Sequence, residues 1–164
     1  MRTATLAGMC RLAGIPAMAL LIASALGTNG AAGTPEAARN GVDPELVRQQ
    51  TEIEAAFTGS DADRVARLLS PRLKTYVACQ SLAREDGYYG GDQLRILLRR
   101  LFRGRESTGF RVITAVTPRP DGQAVLQGVW SFRDATSPAA QMHLAFTLAR
   151  DGDAWRLREI RDLS

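Results

Sequence analysis

Late in the chain Met142, Leu144, Phe146 and Leu148 recur at every second position, with His143, Ala145, Thr147 and Ala149 between them. Such an alternation predicts a strand over 141–149 with its apolar side on a core. Asp151-Gly152 then makes a tight turn into a strand over 154–163. Upstream, 110–117 and 124–133 read as strands joined at Pro120-Asp121-Gly122. Leu73, Thr75, Val77 and Cys79 predict an earlier strand over 73–79. Elsewhere the period changes to that of a helix. Leu94, Leu97, Leu98 and Leu101 fall at i, i+3, i+4 and i+7 with Phe102 beside them, behind Asp92 as cap and ahead of Gly104 as stop. Leu46, Ile53 and Phe57 share a face behind Asp43 and Pro44, and Gly59 ends that helix. Ser60 with Asp63 opens a short helix faced by Val65, Leu68 and Leu69, which Pro71 stops. Residues 81–91 read as a polar loop carrying Tyr88 and Tyr89.

The predicted order is helix, helix, strand, helix, then four strands. Strands joined by short turns pair antiparallel. Helices gathered ahead of a sheet cover one of its faces. The fold class is therefore α+β, with three N-terminal helices packed on one face of an antiparallel sheet.

The start of the chain has a different pattern. Arg2 and Arg11 precede an almost unbroken apolar run over 12–26, and Gly30, Ala31, Ala32 and Gly33 follow. That is the layout of a secretory signal peptide over 1–33. A Gly/Ala/Pro-rich lead-in over 34–42 and a single domain over 43–164 follow it. The alternative is an uncleaved N-terminal membrane anchor. A spanning helix needs ~20 apolar residues, and this run is shorter, with Gly14 and Pro16 inside it. Cys10 precedes the run, whereas a lipid-attachment cysteine follows one. The expectation is export to the periplasm or beyond, with the mature protein outside the membrane.

Charge and cysteine then remove several functions. The chain has 21 basic and 17 acidic side chains and a net charge of +4, of which the leader carries two units. The basic excess therefore does not argue for a nucleic-acid partner. Arg99, Arg100, Arg103 and Arg105 cluster where a helix C-terminus favours positive charge. With Cys10 gone, Cys79 has no intramolecular partner and is expected in the core. His143 and Cys79 alone cannot form the usual zinc site. No nucleotide fingerprint or nucleophile triad is present, and neither cofactor nor metal is expected.

Three segments carry a family resemblance. Phe57-Thr58-Gly59-Ser60-Asp61-Ala62, followed by Val65 and Leu68-Leu69, is one. Trp155-Arg156-Leu157-Arg158-Glu159-Ile160 after Asp151-Gly152 is another. Both resemble the nuclear transport factor 2-like superfamily, also called cystatin-like or SnoaL-like. The third, Gly87-Tyr88-Tyr89-Gly90-Gly91-Asp92-Gln93-Leu94, resembles a bacterial subfamily of unknown function within it. The resemblance implies a strongly curved, cone-shaped sheet around a cavity. It does not imply one activity, because the superfamily spans isomerases, dehydratases, cyclases, assembly modules and transport adaptors.

Candidate site residues follow from strand parity. Glu159 follows Trp155 and Leu157 at period two, which would aim it inward as a desolvated base, with Arg161 in line to pair with it. A bulge turning Ile160 inward would instead leave Glu159 in solvent. Tyr88 and Tyr89, ahead of the third helix, could donate to an oxyanion or stack on a flat ligand, or simply seal the seam between helix and sheet. Trp130 shares parity with Leu126, Gly128 and Phe132, so it is core or ligand platform. His143 has the outward parity. The leading expectation is a non-enzymatic domain binding a small apolar ligand or a partner protein, with a homodimer through the open sheet face. The alternative is a cofactor-free lyase or isomerase with Glu159 as base.

Overall fold

The computed structural model describes residues 43–163. The expected leader and lead-in lie outside the described residues. Helix α1, Pro44–Thr58, begins where Asp43 accepts a hydrogen bond from Glu45 N at 2.9 Å. It buries Leu46, Ile53, Ala56 and Phe57. Helix α2, Ala62–Arg67, is capped by Asp61, which accepts from Arg64 N at 2.8 Å. Ser60, the expected cap, sits one residue earlier at φ 53°, a left-handed conformation that lets the chain reverse between the helices.

Two short strands follow, β1 (Thr75–Ala78) and β2 (Gly87–Tyr89), ahead of α3 (Gly91–Arg103). The strand β2 lies where a polar loop was expected. Three residues with two tyrosines and no buried position give no alternation to read. Helix α3 starts two residues early, with Gly90 rather than Asp92 as cap: its N–H donates to Gln93 Oε1 at 3.0 Å. Four long strands complete the chain: β3 (Arg105–Pro118), β4 (Gln123–Asp134), β5 (Ala140–Asp151) and β6 (Ala154–Asp162).

The six strands form one sheet in the order β2-β1-β6-β5-β4-β3. The architecture is α+β with the helices on one side of a mostly antiparallel sheet. Two expectations need correction. First, β1 and β6 pair in parallel, with Tyr76 opposite Glu159 and Val77 opposite Ile160. The turn rule constrains only strands that are joined by a turn, and these are separated by most of the domain. Secondly, the sheet is not strongly curled, and aromatic rings stand where a cone would enclose a hollow. The Phe57 ring lies 5.5 Å from Phe102, 5.5 Å from Phe110, 5.8 Å from Trp130 and 5.3 Å from Phe146. Phe57, Trp130 and Phe146 are essentially inaccessible to solvent.

Candidate functional site

On the inner face, β5 contributes Met142, Leu144, Phe146 and Leu148, all buried. The alternation reads correctly there, and His143 is exposed as its parity requires. On β6 the parity changes partway. Trp155 and Leu157 are buried, and so is Ile160. Leu148 pairs with Leu157 but Thr147 pairs with Glu159, so Arg158 is an extra residue in β6. That bulge turns Ile160 inward beside Val77 and turns Glu159 and Arg161 to the outer face. The inward desolvated base is thereby corrected: the bulged alternative describes the chain. The buried polar side chains among the described residues are Gln49, Ser70 and Thr75, none of them an acid.

The register then assembles a row across four strands. Tyr88 on β2 lies opposite Tyr76 on β1, Tyr76 opposite Glu159 on β6, and Glu159 opposite Thr147 on β5. The two tyrosine rings meet edge to face, centroids 5.2 Å apart. Thr147 Oγ1 donates to Glu159 Oε2 at 3.0 Å, and Arg161 Nε donates to Glu159 Oε1. The Arg161 guanidinium stands 5.6 Å from the centroid of the Tyr76 ring. The Glu159 hydrogen bond, then its charge, raises the Arg161 pKa, with smaller help from Tyr76 and Asp86. Tyr76, Tyr88, Arg158, Glu159 and Arg161 line a surface recess of about 270 Å³.

Tyr88, Glu159 and Arg161 are thus brought together, and Trp130 and Tyr89 are not among the residues lining that recess. Trp130 is fully buried among the inner rings, and its Nε1 donates to Ser107 Oγ at 3.0 Å. Tyr89 packs against the core and its hydroxyl donates to Glu85 O at 2.6 Å. Sequence reasoning missed Tyr76, Arg158 and Thr147. The signal lay in Leu157 and Ile160, whose spacing of three cannot keep one strand face without a bulge.

Elsewhere, Cys79 is buried, and loss of water raises its thiol pKa. Among the described residues no His, Cys, Asp and Glu side chains gather as three or more metal ligands would, and no helix is long and apolar enough to cross a membrane. The arginines at the end of α3 are partly paired: Arg99 forks onto both oxygens of Asp63 at 2.8 and 2.9 Å.

No family model matches the sequence, and no curated protein matches it. Solved structures do match. A DUF4783 family protein from Bacteroides uniformis superposes with a TM-score of 0.57 at 12% identity, covering 68% of this chain and 93% of its own. A hypothetical protein with a ketosteroid isomerase-like fold from Catenulispora acidiphila, in complex with trimethylamine, gives 0.55 at 16% identity, covering 75% and 87%. AusH from Aspergillus nidulans gives 0.57 at 11% identity, covering 74% and 84%. The chain has the nuclear transport factor 2-like fold. Identities this low carry the fold alone. Within this nuclear transport factor 2-like domain the candidate site stands on the outer face of the sheet, backed by strands on which the register fixes each side chain.

Proposed function

We propose that this nuclear transport factor 2-like domain is a non-enzymatic binding module, exported from the cytoplasm, that takes a small ligand with a flat apolar part in the outer-face recess. One observation carries the reading. The inner face is occupied by Phe57, Phe102, Phe110, Trp130 and Phe146, whereas Tyr76, Tyr88, Arg158, Glu159 and Arg161 converge on an open recess. Ligand sites combine apolar surface with a few polar groups that fix orientation, and this recess has both in small measure. The Catenulispora acidiphila structure, bound to trimethylamine, supports the idea that a domain of this fold accepts a small molecule. Proton abstraction by Glu159 has less support, because both its oxygens already accept hydrogen bonds, from Thr147 and Arg161, on the outer face.

The test is a titration of the full chain with small aromatic compounds, followed through tyrosine ring resonances. Saturable shifts on Tyr76 and Tyr88 are expected, with at least a tenfold loss of affinity in Tyr88→Ala and no change in its melting temperature. Binding that Tyr88→Ala leaves intact, or shifts on Phe57 and Trp130 instead, would refute the site. Export is checked separately by N-terminal sequencing of the protein from the extracytoplasmic fraction, which is expected to begin near Gly33.

A further inference from the structure

Within the recess the two arginines are not equivalent. Arg161 is engaged by the Glu159 carboxylate and by the face of Tyr76, and its charge is further offset by Asp86. Arg158 lines the same recess but makes no ion pair with a described carboxylate, and its Nη1 is out of water with no acceptor. A guanidinium part-stripped of water and unpaired is unfavourable, because a charged group loses more than a neutral one when its hydrogen bonds to water are not replaced. The bulge holds it there, since Arg158 is the residue that β6 inserts opposite the Thr147–Leu148 step. The second available group is Tyr88, which is 65% exposed although its ring meets that of Tyr76 at an interplanar angle of 60°.

These two vacancies select by charge. A cationic ligand would have to displace Arg161 from both Glu159 and Tyr76. A neutral one would leave Arg158 unpaired. An anionic one would pair with Arg158 and leave the Glu159–Arg161 pair untouched, as a charge-assisted hydrogen bond prefers. A planar ring on that anion would cover Tyr88. Resting on the outer-face reading above, we infer that the recess recognises an aromatic carboxylate, its carboxylate on Arg158 and its ring on Tyr88.

The experiment titrates the full chain at constant ionic strength with benzoate, benzyl alcohol and benzylammonium, following Tyr76, Tyr88 and the arginine side-chain resonances. Benzoate is expected to saturate the Tyr88 and Arg158 signals and to bind at least tenfold more tightly than the other two. Arg158→Gln should lose that preference, and Arg158→Lys should keep most of it; both are checked for an unchanged melting temperature. If Arg158→Gln fails to fold, the Arg158→Lys variant and the order of the three probes on the native chain still decide the matter. Equal or tighter binding of benzyl alcohol or benzylammonium in the recess would overturn the anion preference while leaving the site in place. An unaltered preference in Arg158→Gln would overturn it too. No recess shift with any of the three would overturn both.

Discussion

At the scale of single residues, Gly128 shows how closely the inner face is fitted. A Cβ there would lie 2.3 Å from Phe110 Cζ, 2.6 Å from its Cε1 and 3.1 Å from Arg111 O. The Phe110 ring cannot swing away, because it is held between Phe57 and Phe146. Gly128→Ala should therefore destabilise by about 1–3 kcal/mol, the usual cost of overpacking. Urea denaturation measures it, and pairing the change with Phe110→Leu should recover part of the loss. Gln49 is the opposite case. It is 4% exposed in the core face of α1, and its Oε1 has no partner. A buried acceptor without a donor costs about 1–3 kcal/mol. Gln49→Met keeps the length and removes the orphan, so it should raise the urea midpoint; a lowered midpoint would show that Gln49 meets a need not visible in its hydrogen bonds.

At the scale of elements, the start of α1 is locked to the β5–β6 hairpin. Asp43 Oδ2 accepts from Trp155 Nε1 at 2.8 Å and from Arg150 Nη2 at 2.7 Å, and Glu45 Oε1 accepts from Trp155 N at 3.0 Å. The Trp155 hydrogen bond, with the Glu45 and Leu46 amides and Arg150, outweighs desolvation and holds the Asp43 pKa below its usual 3.8. A carboxyl whose folded pKa is depressed stabilises the fold above its unfolded value and loses that contribution as pH falls through the folded one. The gap in urea midpoint between the native chain and Asp43→Asn should thus be full near neutrality and close as pH drops below about 4. A gap that stays constant with pH would mean the charge does not act there. The same scale shows what could be read from sequence. Strands β4 and β5 and helices α1 and α3 were legible because each buries one face along its length. Strand β2 was not, because only pairing with β1 defines it. For Glu159 the residue alone did not decide: parity sent it inward, and only the register with Thr147 and Tyr76 showed the extra residue that sends it out.

At the scale of the molecule, a fold associated with an interior hollow has here closed that space with rings, and this can be tested directly. Phe57 touches Phe102, Phe110, Trp130 and Phe146, so its side chain is the single volume whose removal opens the middle of the core. Phe57→Ala should cost about 3–5 kcal/mol. The space left would be lined by apolar groups and should stay dry, so a small apolar molecule can enter it. A ligand that binds only the folded state raises its stability in proportion to the logarithm of its concentration over Kd. Benzene at saturation is therefore expected to raise the melting temperature of Phe57→Ala and to leave that of the native chain unchanged. The contrast matters more than either value. If benzene stabilised the native chain as well, the interior would hold a usable cavity, and the reason for moving the binding site to the outer face would disappear. If it stabilised neither, the helices would have collapsed onto the sheet, and the rings would be filling a space the fold can give up rather than one it holds open.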